Sequence, residues 1–191
     1  DGLPGSFDFL EHGYLYLVAG PDGVAAAEES WKIQTGLGVP NDLLDRDELS
    51  ARFPSLYVGD VDAAIHGPQD GFIDPHAAVT GFRHKATSLG VTYIKDKVVD
   101  IQVSGGLAQA VVLESGEIIS SDIIVNVAGA WGPEICAMVG MEVPVQPLSR
   151  NTFYFEIQGE VETMPLTKDP GGIAFRQEGA GFTVGLTNMD V

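Results

Sequence analysis

Two stretches of the sequence combine residue types that can do chemistry. Ala128-Gly129-Ala130-Trp131 is a run of small residues ending in a large aromatic one, directly after the apolar segment Asp122-Ile123-Ile124-Val125-Asn126-Val127. A small-residue turn at the carboxyl end of a buried strand lets a ligand approach the backbone closely in an open α/β layer; the same residues equally suit a tight strand-to-helix turn. Phe175-Arg176-Gln177-Glu178 is the second stretch. The guanidinium fork of Arg176 matches a bound carboxylate, and in an acidic chain it matches a neighbouring Asp or Glu just as well. Phe175 and Arg176 alternate along a strand, so at most one of them points directly into a cavity on either face.

The other reactive side chains point away from other chemistries. His76 and His84 are eight apart with no acidic partner patterned between them, so no metal site is expected. His66, before Gly67-Pro68-Gln69-Asp70-Gly71, reads as a solvent-exposed loop histidine, with proton handling at a cavity border as the sharper alternative. Cys136 reads as a small buried hydrophobe and Arg150 as a structural cation. Gly179-Ala180-Gly181-Phe182-Thr183-Val184-Gly185 has the wrong spacing for a dinucleotide fingerprint and continues as strand where a phosphate-binding helix would have to begin. No residue is singled out as catalytic.

With 45% hydrophobic and 19% charged residues, the 191-residue chain is long enough to bury a substantial core. The excess of 27 acidic over 10 basic residues, a formal charge of −17, disfavours nucleic acid and anionic membranes as partners. No apolar run approaches the roughly 20 residues of a membrane span. A single cysteine fits a reducing compartment, so a cytoplasmic location is expected. Asp1 stands where an initiator Met would, and the last residues read as the interior of a strand; an internal piece of a longer protein is therefore expected.

The elements that must position these residues follow from periodicity. Phe9 to Val18 reads as a strand ending at a Gly20-Pro21-Asp22-Gly23 turn; Val24, Ala27, Trp31 and Thr35 then recur at helical spacing, and a short helix runs from Asp47 to Phe53. Asp74-Pro75 opens the best-punctuated helix, with Gly90 at its C′ position. Val91–Ile94, Val98–Val103, Leu107–Leu113 and Ile118–Ile119 form a β-meander. Asp122–Val127 reads as a strand central in a parallel layer, followed by a helix from Pro133 to Val139 and a Pro-punctuated linker, Val143 to Pro147. Thr152–Ile157, Ile173–Gln177 and Phe182–Leu186 are strands, the last two joined as a hairpin. The fold class is α/β (α+β), a mixed sheet with flanking helices.

The order of these motifs, Gly71-Phe72-Ile73-Asp74-Pro75, then Gly90-Val91 with Val98, then Ile124 to Trp131, then Pro144 to Arg150, resembles the FAD-dependent glycine/D-amino acid oxidase family. Gly172 to Gly181 looks most like its sarcosine and dimethylglycine dehydrogenase branch. The resemblance implies a substrate lobe made of residues 1–70 and 144–191, and a partial FAD-binding lobe at 71–143 containing the meander. It implies FAD as cofactor, contacted by Val98, Ala128, Gly129, Ala130 and Trp131, and a small amine or amino acid substrate met by Arg176 and Phe175. The implied function is oxidation of a C–N bond by hydride transfer to flavin in a longer parent, the chain alone being inactive; the alternative is a binding or assembly module that keeps the fold without turnover.

Overall fold

The structure, a computed structural model, describes residues 9–186; the final residues, read above as strand interior, lie outside them. Of the described residues, 9–85 together with 150–186 form one compact unit, and Ala86–Ser149 form a second.

In the first unit, β1 (Tyr14–Val18) alternates as a half-buried strand should, with Leu15 and Leu17 in the core. Gly20-Pro21-Asp22-Gly23 is not a free turn but the first turn of α1 (Gly20–Gly36). Pro near a helix start loses no intrahelical bond, Asp22 suits the positive end of the dipole, and the Gly20 N–H is donated to Asp62 Oδ2 at 2.8 Å. Then come β2 (Asp42–Asp45) and α2 (Arg46–Arg52), whose start is fixed by a capping box between Asp45 and Glu48. β3 (Ala63–Gly67) is buried along its whole length. The sequence reading places no strand there, because a short small-residue segment covered on both faces shows no alternation.

α3 (Pro75–Ser88) starts and stops where expected: Asp74 Oδ1 accepts the Ala77 N–H at 2.6 Å, and Gly90 adopts φ +93°. Its buried residues are Ala78 and Gly81, whereas Phe82 is 71% exposed.

The second unit is built on an antiparallel meander, β4 (Val98–Ser104), β5 (Leu107–Leu113) and β6 (Ile118–Ser120), around Ile101, Ala110 and Leu113. Gly105 and Gly106, both with positive φ, form the two-residue turn between Ser104 and Leu107 that matches the twist of its strands. Two expected strands are absent. Val91–Ile94 and Asp122–Val127 are irregular, and Ile123, Val125 and Val127 are 77%, 73% and 86% exposed. A strand that is apolar on both faces needs hydrogen-bonded neighbours on both edges, and among the described residues no strand pairs with either segment. A single 3₁₀ turn (Gly129–Trp131) and α4 (Gly132–Ala137) follow.

The chain returns to the first unit as β7 (Thr152–Glu156), β8 (Leu166–Lys168), β9 (Ile173–Glu178) and β10 (Gly181–Leu186). The seven-stranded sheet runs β2-β3-β1-β8-β9-β10-β7, antiparallel except where β1 pairs parallel to β8. One face carries the core: Leu15, Leu17, Leu44, Ala64 and Phe182, packed with Leu49 and Phe53 of the α2 region. On the opposite face α1 touches β1, β2 and β3 only. Among the described helices none touches β8, β9, β10 or β7, so that end of the second face is open.

Asp74→Ala should lower stability by about 1 kcal/mol through loss of the α3 N-cap acceptor. Urea unfolding checks this, and an unchanged midpoint would mean that the cap does not hold the helix start.

Candidate functional site

Register decides which side chains share the open face. Leu15, Thr167, Phe175 and Val184 stand in one cross-strand row, so their neighbours Tyr14, Leu166, Arg176 and Thr183 form a row on the other face. Phe175 thus turns to the core, where its ring meets Phe182 edge-on at 5.9 Å. Arg176 turns to the open face. Its guanidinium lies 4.7 Å over the Phe72 ring and pairs with Glu178 at 2.8 Å. Stacking and ion pair together hold the fork in one orientation, since each restricts a different rotation of a long side chain. Both Arg176 and Phe175 border an open cleft of about 220 Å³, together with Arg150, Thr152 and Thr183. The sequence reading missed Thr152, Thr183 and Phe72; alternation alone marks them as facing some surface, but only the register says which.

In the second unit Val98, Ala128 and Trp131 border one slot of about 520 Å³, closed further by Val99, Ile135 and Met138. Gly129 and Ala130 complete the loop without lining it. Asn126, which the sequence reading did not single out, fastens this loop at both ends. Its Oδ1 accepts the Ala128 N–H at 3.1 Å, and its Nδ2 donates to the Gly132 carbonyl at 2.9 Å and contacts Cys136 Sγ at 3.3 Å. Cys136 is half-buried rather than a core residue. Gly129 has φ +55°, and a Cβ built on it meets nothing within 4 Å. The slot's apolar walls fit a flat aromatic ring, the ring part of a dinucleotide, and its only charged lining residues are Lys97 and Glu134.

His66 is not an exposed loop residue. It sits on β3, 8% exposed, with Arg52 Nη1 donating to its Nδ1 at 3.1 Å and Phe53 edge-on at 5.5 Å. Arg52 also binds Asp42 at 2.6 Å. An Nδ1 that accepts carries no proton, so the neutral ring keeps its hydrogen on Nε2. Burial, reinforced by the Arg52 charge, pushes the His66 pKa below its ordinary value of 6.5, and the hydrogen bond from Arg52 holds Asp42 below the usual carboxylate range. Gly13 passes so close that a Cβ there would lie 2.9 Å from His66 Nε2. No group of three or more metal-ligating side chains gathers among the described residues, and no helix among them is long and apolar enough to cross a membrane.

A seven-stranded mixed sheet interrupted along the chain by an antiparallel meander is an arrangement shared with known proteins. The family described as "FAD dependent oxidoreductase" matches residues 3–191, and the chain belongs to it. FAD is that family's cofactor. FAD-dependent oxidoreductase domain-containing protein 1 of Bos taurus is 28% identical over 95% of this chain and 43% of its own length. Mitochondrial sarcosine dehydrogenase of Mus musculus is 24% identical over 93% of this chain and 20% of its own. Among solved structures, L-proline dehydrogenase from P. horikoshii superposes with a TM-score of 0.79 at 28% identity, over 94% of this chain and 49% of that one. The chain therefore spans less than half the length of each.

Two outcomes test this geometry. A histidine whose folded pKa is depressed stabilises the fold fully above its ordinary pKa, and that contribution is lost as pH falls below it, because the unfolded chain takes up the proton first. Urea unfolding should show a loss of stability between pH 7.5 and about 5.5 that is smaller in His66→Gln; equal losses would mean that folding does not lower the His66 pKa. Gly129→Val should cost about 1–2 kcal/mol in the flavin-free protein, because a branched residue is strained at positive φ, while Gly129→Asn costs less. Equal stability of the two variants would remove the left-handed turn.

Proposed function

We propose that the protein oxidises the C–N bond of a small amine or amino acid, with Arg176 orienting the substrate carboxylate on the open face of the sheet. The observation that carries this reading is the Arg176 geometry: a guanidinium held by Phe72 and Glu178 at the border of a small open cleft. Only one of its donors is committed to Glu178 in the ion pair, which leaves others for a ligand. Phe175 supports β9 from the core side.

The substrate lobe expected at residues 1–70 and 144–191 then coincides in large part with the unit bearing the seven-stranded sheet, and the FAD-lobe segment expected at 71–143 with the unit Ala86–Ser149. Val98, Ala128 and Trp131 would hold a ring of FAD in their slot, with Gly129 and Ala130 shaping the loop and Asn126 keeping it in place. Bound FAD supplies the hydride acceptor. The chain's own task is to fix the substrate by its carboxylate so that the carbon next to nitrogen is presented in one orientation, which lowers the entropic part of the barrier. The slot offers part of a dinucleotide cradle, so the 191-residue chain by itself is proposed to be inactive. A single half-buried cysteine fits a reducing compartment such as the cytoplasm.

In the full-length protein, anaerobic addition of N-methyl amino acids or D-amino acids should bleach the flavin, and Arg176→Gln should raise the substrate concentration required by about tenfold or more. Absence of bleaching by every member of both series would overturn the assignment.

A further inference from the structure

We propose that the cleft on the open face takes a substrate with two anionic groups, an amino or imino dicarboxylate, held between Arg176 and Arg150. This rests on the reading that Arg176 receives a carboxylate and adds to it the chemistry of the substrate's other end.

Acidic residues outnumber basic ones 27 to 10 in the chain, yet no Asp or Glu lines this cleft, and two of the ten cations do. Glu178, outside the lining, offsets the Arg176 charge, and the Arg150 guanidinium on the same cavity has no such partner among the described residues, so an anion in the cleft would meet an uncompensated cation. Arg176 is already turned toward Phe72 and Glu178. Arg150 is exposed and has no ion-pair partner among the described residues. Its charge is the uncommitted one.

Arg176 lies on β9 and Arg150 two residues before β7, with β10 between them. Register puts Tyr154 two strands across from Arg176, and Arg150 stands four residues further along, so the two backbones are about 16 Å apart; one carboxylate does not serve both cations, whereas an extended dicarboxylate between the two long side chains reaches from one toward the other. The floor between them is low, made by Ala174 and Gly185, and the hydroxyls of Thr152 and Thr183 are placed along it. At about 220 Å³ the cleft is smaller than the roughly 300–1,000 Å³ of drug-sized pockets, which restricts it to a compact ligand.

The test uses glutarate and butyrate as unreactive probes, titrated calorimetrically into the full-length protein at low and physiological salt. Glutarate should bind about tenfold or more tightly than butyrate, the worth of one added charge-assisted contact. Arg150→Gln should abolish that advantage while leaving butyrate affinity unchanged, and Arg150→Lys should restore part of it. Arg176→Gln should weaken both probes. Equal affinities in the unsubstituted protein, or an advantage that survives Arg150→Gln, would overturn the dicarboxylate proposal while leaving the carboxylate role of Arg176 standing. Butyrate binding that is indifferent to Arg176→Gln would remove that role and the present inference with it.

Discussion

The parallel pairing of β1 with β8 is the contact on which the first unit depends. Three strands come from the first 67 residues and four from beyond residue 150, and this ladder alone joins the two groups into one sheet. At its centre Leu15 stands opposite Thr167, both fully buried, with the Thr167 hydroxyl donated to the Pro165 carbonyl at 3.1 Å. A polar side chain in that position is tolerated because its hydrogen bond is made locally, leaving no unsatisfied group in the core. Parallel neighbours need a long connection, and here it includes the whole of the second unit. Closing so long a loop is costly in entropy only logarithmically, so the apolar burial along the joint offsets it.

Once that joint is fixed, the remaining placements follow from period two. Leu15 in the core sets Thr167, Phe175 and Val184 toward the core, and therefore Arg176 and Thr183 away from it. A slip of one residue between β8 and β9 would exchange Phe175 for Arg176, burying a guanidinium in the cluster around Phe182 and exposing an aromatic ring on the open face. The energetic penalty of that exchange is what keeps the cation on the cleft side. Which side chains line the cleft is thus decided by hydrophobic packing on the reverse side of the sheet.

What was legible in the sequence divides along the same physical line. α3 could be read because its signals are local: Asp74 as cap, Pro75 at the first position, Gly90 after the end. The β9–β10 hairpin could be read because two alternating runs flank a Gly-containing turn. β3 and β8 could not, being short and made strands only by their neighbours. The opposite error occurred at Val91–Ile94 and Asp122–Val127, where composition favours a strand and the described residues supply no partner. For the site, the residue types at Arg176 and at Ala128–Trp131 were visible, but the threonines beside Arg176 depend on register, and the hold of Asn126 on the loop depends on a turn that brings residue 132 back to residue 126.

That turn gives Ala128–Trp131 a structural role beside the flavin-contacting one proposed for it. Gly129 needs its left-handed conformation for the 3₁₀ turn to form, and Asn126 spends its hydrogen bonds on the same turn. Yet the space beyond Gly129 is empty and Trp131 is two-thirds exposed, so neither residue is there to fill a core. A loop held rigid by its own hydrogen bonds, with a large aromatic ring left facing a slot, has already met the ordering cost that a ligand would otherwise impose on it. The left-handed turn at residue 129 and the proposed presentation of residues 128 and 131 to a ring of FAD are therefore compatible: the turn orders the loop before any ligand arrives.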